Sequence, residues 1–271
     1  MIRYCLYLTL FFFPALILPA CVQSRHDTGI PVAAGPNVLR VGITTNAPPT
    51  AYKNDGKIIG LEADFAKGLA KFTGRKLVFV ELNWKDQIPS LLAGKTDIIM
   101  SSMTITGARS YQIAFCNPYM ISGQVCLVRM SEMYRFRNGF TDLLNPTVKI
   151  GTVYGTTGAL LIQKNVATDG KKRFYSYKTP QQGVQALLAK KIDTFVYDLP
   201  MNFYFAAENE INGLAPVTTP MTREQIAWGV RKEDSSLREE ANAYLASIKD
   251  DGRLKKMLIH WIPFFQNVFN R

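Results

Sequence analysis

The sequence predicts an α/β protein whose two lobes face each other across a ligand cleft. Past residue 37, short apolar strands alternate with amphipathic helices, the pattern of a sheet flanked by helices. One strand–helix unit also occurs twice. Leu91-Leu92-Ala93-Gly94-Lys95-Thr96-Asp97-Ile98-Ile99-Met100 is echoed by Leu187-Leu188-Ala189-Lys190-Lys191-Ile192-Asp193-Thr194-Phe195-Val196, at one offset of 96 residues. A looser echo links Arg40-Val41-Gly42-Ile43-Thr44 with Lys149-Ile150-Gly151-Thr152-Val153. The chain has 271 residues, 47% hydrophobic and 20% charged, which is enough for two cores.

The N-terminus belongs to neither lobe. Arg3 precedes an apolar run from Leu6 to Leu18, which is broken by Pro14 and short for a bilayer span. A positive start, a short apolar stretch and small residues before a cut site predict a secretory leader over residues 1–20. The stretch Leu18-Pro19-Ala20-Cys21 resembles a bacterial lipobox, whose cysteine is acylated, so Cys21 is the expected lipid attachment. Simple secretion with Cys21 removed is the alternative. Residues 21–36 carry no periodicity and several turn formers, and read as a flexible tether.

The elements then follow in order. Leu39–Ile43 is a strand. Gly60 and Glu62 open a helix with Leu61, Phe65, Leu69 and Phe72 on one face. Leu77–Val80 is a strand, Ile88, Leu91 and Leu92 mark a helix ended by Gly94, and Ile98–Met100 is a buried strand. In the second half Thr179, Pro180 and Gln182 spell a helix start with a capping box.

The formal net charge is +11, and loss of residues 1–20, whose one charged side chain is Arg3, leaves +10. These charges are scattered, and no helix interleaves basic and aromatic residues, so they read as solvated surface rather than a nucleic-acid interface. Cys116 and Cys126 are either a disulfide or two inert buried thiols.

The repeat also locates chemistry. The same offset pairs Ser101-Ser102 with Tyr197-Asp198, each just past the C-terminal end of a buried strand, where open α/β sheets bind ligands. One lobe then offers hydroxyls and the other a carboxylate. Ser102 and Thr104 are followed by Arg109, a set suited to a planar carboxylate because the guanidinium fork can hold both oxygens. His26 and His260 make no nucleophile–base pair with a serine, and no cluster has metal-ligand spacing. Glu62 and Glu81 read as solvated ends of elements. A binder, with no catalytic residue, cofactor or metal, is the expectation.

From about Asn37 to Pro263 the chain resembles the family-3 extracellular solute-binding proteins, the amino-acid-binding class of periplasmic binding proteins. The marks are Leu-Arg-Val-Gly at 39–42, Pro48-Pro49, Gly-Leu-Glu-Ala-Asp-Phe-Ala at 60–66, Trp84, and Ser-Ser-Met-Thr-Ile-Thr at 101–106 with Arg109. Gly151–Thr157, Tyr197-Asp198 and the tail from Trp228 to Trp261 complete them. The resemblance implies a two-lobed, type II periplasmic-binding-protein-like fold. It implies lobe 1 over 37–127 and 221–271, lobe 2 over 128–220, and two crossover segments near Val125–Met130 and Pro216–Arg223. It implies the binding component of an ABC-type amino-acid uptake system, monomeric, in the periplasm or at the cell surface, with permease subunits as partners.

By the same resemblance, Arg109 clamps the ligand's α-carboxylate with help from Ser102, Thr104 and Thr157, Asp198 takes the α-ammonium, and Trp84 packs on the ligand. The first loop departs from the family. Ala47 and Thr50 stand where aromatics are common, and neutral Thr44 stands near where binders of cationic amino acids often carry an aspartate. That departure points away from lysine or arginine. The alternatives are a cyclohexadienyl or arogenate dehydratase-like enzyme on the same fold, and a ligand-sensing module. The aromatic tail Trp261–Phe265 is expected to pack on lobe 1.

Overall fold

The computed structural model describes residues 37–166 and 172–266. The expected leader, Cys21 and the expected tether lie outside the described residues.

The first lobe begins with strand β1 (Val38–Ile43) and a small antiparallel sheet of β2 (Asn46–Ala47), β3 (Ala51–Asn54) and β4 (Lys57–Ile59). Helix α1 (Leu61–Phe72), β5 (Lys76–Glu81), α2 (Gln87–Leu92), β6 (Ile98–Thr104), α3 (Gly107–Gln112), β7 (Ala114–Phe115) and β8 (Met120–Ser122) follow. The second lobe runs through β9 (Gln124–Arg129), α4 (Phe140–Leu143), β10 (Ile150–Val153), α5 (Thr157–Asn165), β11 (Phe174–Tyr177), α6 (Pro180–Leu188), β12 (Thr194–Asp198), α7 (Leu199–Glu208) and β13 (Leu214–Pro216). The chain then returns as β14 (Glu224–Val230), α8 (Ser235–Asp250) and α9 (Arg253–Trp261).

The two main sheets share one plan. The first has the order β5-β1-β6-β14-β7, with β8 also on β14, and the second β11-β10-β12-β9-β13. In each, three parallel strands are followed by one antiparallel strand, β14 or β9. The repeated sequence lies in the same register in both, Val41 beside Ile98 and Ile150 beside Thr194. Its aspartates do the same work. Asp97 Oδ2 accepts from the backbone N–H of Arg40 at 2.8 Å, and Asp193 Oδ2 from that of Lys149 at 2.7 Å. Each carboxylate thus fixes the start of the neighbouring strand.

Two expectations need correcting. The segment 124–127, assigned from the sequence to lobe 1, is the start of β9 and pairs with β12 in the second sheet. The first crossing is therefore between Ser122 and Gln124, because Val125–Met130 finds its backbone partners in the second lobe. The second crossing runs from Val217 to Arg223, between β13 and β14. Strand β6 also continues past Met100 to Thr104, since β14 supplies partners for Met103 and Thr104 that a local reading cannot see.

The first core centres on Trp228, Phe65, Tyr119 and Tyr244, with ring centroids 5.1–6.1 Å apart. Ile262 and Phe265 join it, and Trp261 Nε1 donates to Asp64 at 2.9 Å, so the tail packs on lobe 1. The second sheet carries Phe195, Leu187 and Leu127 in one cluster and Phe136, Ile150 and Val196 in another. Each such side chain stabilises the fold by ~1.5–3 kcal/mol. Cys116 and Cys126 are free thiols in different cores, which removes the disulfide alternative. Burial pushes both up to about 12, so they are inert at neutral pH.

Asp97 also receives the Arg40 guanidinium, at 2.6 and 3.1 Å. Asp97→Ala should lower stability by about 2–3 kcal/mol, as expected for loss of charge-assisted hydrogen bonds near the core. A urea melt would show the midpoint fall with an unchanged slope.

Candidate functional site

The crossings bring the ends of β6, β10 and β12 to one cleft. It is lined by all six side chains singled out from the sequence, Trp84, Ser102, Thr104, Arg109, Thr157 and Asp198.

On the lobe 1 side the site is built on a bent strand. Opposite β6 the register of β14 shifts between Ala227 and Gly229, and Ser102 takes φ 53, a left-handed conformation uncommon for serine. Glu62 holds it there. This side chain has no solvent exposure, contrary to the solvated position expected from the sequence. Its Oε1 accepts from the backbone N–H of Ser102, from Ser102 Oγ at 3.1 Å and from Tyr119 Oη at 2.5 Å, while Oε2 accepts from Trp228 Nε1 at 3.2 Å. Burial raises its carboxyl above the ordinary range, and these hydrogen bonds oppose the rise. With four hydrogen bonds and no cation, Glu62 is a positioning residue for the Ser/Thr turn.

Arg109 follows on α3, whose start is capped by Thr106 Oγ1. Its Nη1 donates to the carbonyl of Thr104 at 2.8 Å and its Nη2 to that of Gly155, across the cleft, at 3.3 Å. The guanidinium lies 5.0 Å from the Trp84 ring centroid. Trp84, in a short turn after β5, donates from Nε1 to the same Gly155 carbonyl at 2.9 Å. One backbone oxygen of lobe 2 therefore receives both an indole and a guanidinium from lobe 1. Burial lowers the Arg109 pKa, and the nearby carboxylates of Asp198 and Glu224 oppose that shift.

On the lobe 2 side Thr156 caps α5 and Thr157 opens it, facing the cleft. Asp198 ends β12 at the N-cap position of α7 without capping it, and its Oδ1 instead accepts from Gln124 Nε2 at 2.7 Å.

Two residues at this site were missed by the sequence reading, Gln124 and Glu224. They open β9 and β14, immediately after the two crossings. Glu224 Oε2 accepts from Thr104 Oγ1 at 2.8 Å and Thr157 Oγ1 at 2.9 Å, one hydroxyl from each lobe. Gln124 Nε2 reaches Thr157 Oγ1 at 3.0 Å and Glu224 Oε2 at 3.4 Å. Its close approach to α5 needs Gly158, where a Cβ would sit 2.5 Å from Gln124 Oε1. Both threonine hydroxyls thus commit their protons to Glu224 and turn lone pairs elsewhere. The signal that could have found the pair was their place at the crossings, and the first crossing was itself misplaced.

Asp198 is half-buried and crowded by protein. Burial and the adjacent Glu224 carboxylate raise it to about 7, against the Gln124 hydrogen bond and the Arg109 charge. The cleft is tight, with room for about one or two waters. A larger solute enters only if the lobes part.

The profile of the bacterial extracellular solute-binding proteins, family 3, matches residues 39–264. The chain belongs to that family. The ABC transporter glutamine-binding protein GlnH of Bacillus subtilis (strain 168) is 28% identical over 265 residues, 92% of this chain and 93% of that protein. Among solved structures, the ancestral amino acid-binding protein AncCDT-1, a precursor of cyclohexadienyl dehydratase, superposes with a TM-score of 0.76 at 32% identity, over 83% of this chain and 95% of that one. An ancestral arginine-binding protein bound to arginine gives 0.76 at 30% identity, over 83% and 98%. The fold of this family-3 protein is accordingly the two-lobed, type II periplasmic-binding-protein fold, and its place is outside the cytoplasm.

Glu62→Ala should cost about 3–5 kcal/mol, because it leaves buried donors of Ser102, Tyr119 and Trp228 unpaired. Glu62→Gln should cost less, since one oxygen stays available to Ser102 and Tyr119. Denaturant melts of the two variants check this order.

Proposed function

We propose that this protein is the substrate-binding component of an ABC-type amino-acid uptake system, and that its cleft closes on a free amino acid. The observation that carries the reading is the placement of Arg109 and Asp198, a guanidinium and a carboxylate, on opposite lobes of one cleft. A zwitterion loses hydration at both ends when it is enclosed, so each end needs a fixed partner of opposite charge. With the partners on separate lobes, the ligand stabilises the closed arrangement, and closure buries it.

Arg109 takes the α-carboxylate through the N–H donors that do not serve Thr104 and Gly155, while Ser102, whose N–H and hydroxyl both donate to Glu62, shapes the turn beside it. Asp198 takes the α-ammonium, and the oxygens of Thr104 and Thr157, whose protons go to Glu224, serve it as further acceptors instead of the carboxylate donors that the resemblance implied. Trp84 packs against the ligand and marks closure through its bond to Gly155. The tightness of the cleft supports a cycle in which the lobes part, admit the solute and close. Export through the leader, anchoring by acylated Cys21, monomeric action and hand-over to permease subunits complete the proposal. Binding without chemical change is the expected outcome.

Calorimetric titration with the common amino acids, on protein freed of retained solute, tests the reading. One compound should bind with micromolar or tighter affinity, and Arg109→Ala should weaken it by about 30-fold or more, the scale for truncating one partner of a buried charge pair. Binding that survives Arg109→Ala removes the clamp, and no amino-acid binding in folded protein removes the function. The affinity should also depend on pH. Below about 7 the Asp198 carboxyl holds a proton that a ligand ammonium must displace. The affinity should therefore fall by up to about tenfold per pH unit below that value and level off above it. A flat profile between pH 5.5 and 8 would exclude Asp198 as the ammonium partner.

A further inference from the structure

The cleft changes character along its length. Arg109, Asp198, Thr104 and Thr157 form one end, backed by Gln124 and Glu224 at the crossings. Asn83 and Lys178 also line the adjoining surface cavity, together with Tyr154 and Gln182, which puts them at the mouth. Thr44, Asn46 and Ala47 line the same cleft from the first loop. If the charged end holds the two groups common to every amino acid, the mouth and first loop meet the side chain.

The polar side chains of this second part are neutral or cationic. Thr44 Oγ1 accepts from Gln87 Nε2 at 2.8 Å, which leaves its own proton free for the cleft. Asn46 carries a further amide, while Asn83 Nδ2 donates to Asp86 Oδ2 at 3.3 Å. Lys178 bonds through its backbone N–H to Gln182 Oε1, while its ammonium makes no hydrogen bond or ion pair among the described residues. Asp198 is the one carboxylate that lines the cleft among the described residues, and it is tied to Gln124 beside the crossings. A guanidinium or ammonium on the ligand's side chain would find no acid lining this part, the nearest being Asp86 behind Asn83, and would face the Lys178 ammonium. Small Ala47 leaves space rather than an aromatic wall, so polar contacts set the preference.

We propose that the ligand is an amino acid whose side chain ends in a hydrogen-bond acceptor, a carboxylate or a carboxamide, and that Lys178 biases the cleft against cationic side chains. The inference rests on the amino-acid reading of the cleft. It separates this protein from the structurally similar ancestral protein bound to arginine.

The test is calorimetry on the solute-free full chain with glutamate, aspartate, glutamine, asparagine, arginine and lysine, repeated on Lys178→Met and Lys178→Glu. The best acidic or amide ligand should bind at least about tenfold tighter than arginine and lysine, the scale of one charge-assisted hydrogen bond. If the natural ligand is acidic, Lys178→Met should weaken it about tenfold; if it is an amide, by less than about threefold, since no charge pair is lost. Lys178→Glu should narrow or invert the preference over arginine in either case. Arginine or lysine binding as tightly as every acidic and amide ligand overturns the proposal, as does a preference unchanged in Lys178→Glu. Tight binding confined to cationic amino acids would leave the amino-acid reading standing, whereas no binding of any amino acid overturns both.

Discussion

The two chain crossings are hydrogen-bonded to each other, and the cleft depends on that tie. The backbone N–H of Gln124 donates to Thr222 Oγ1 at 2.9 Å, and the N–H of Met221 to the Gln124 carbonyl at 2.8 Å. Two crossings held side by side restrict the lobes to a hinge-like motion about that line, because each segment limits twist in the other. The side chains nearest the hinge line sweep the shortest path, and these are Gln124 and Glu224. They can stay in contact with both lobes through such a motion, while Trp84 and Gly155 part.

This arrangement explains why the site tolerates so much buried polarity. Glu62 carries no solvent exposure and no cationic partner, yet four hydrogen bonds satisfy it and define the left-handed turn at Ser102. Asp198 and Glu224 are like charges near one another, and the Gln124 amide between them moderates the repulsion without removing it. The surrounding aromatic cluster of Phe65, Tyr119, Trp228 and Tyr244 supplies the apolar burial that offsets these costs. Unfavourable elements concentrated at one place, with packing elsewhere to sustain them, are the physical mark of a functional site.

The internal repeat gives the two lobes similar sheets with different chemistry at their ends. Asp97 and Asp193 keep the same structural task in both halves, whereas Ser101-Ser102 and Tyr197-Asp198, at equivalent positions, diverge into hydroxyls and a carboxylate. Conserving the strand starts while varying the strand ends builds a two-sided cleft from one plan. The family to which the chain belongs shares this fold, and Thr44, Ala47 and Lys178 add a neutral and cationic part to the wall of the cleft.

Much of this was legible in the chain. Strand–helix alternation and the 96-residue echo are short-range patterns, so they gave the two lobes, and six cleft residues followed from turn motifs and resemblance. Contacts over long separations were not legible. Glu62 meets Trp228 across 166 positions and Glu224 meets Thr104 across 120, so neither carboxylate's burial has a local signature. The same holds for β9, an apolar strand that could have paired in either sheet. The sequence by itself determined the period of each element, the caps and the chemical inventory of the cleft. The tertiary structure decided the crossing point, the pairing of hydroxyls with Glu224 and the left-handed turn at Ser102, because those depend on which distant strand satisfies a given backbone or carboxylate.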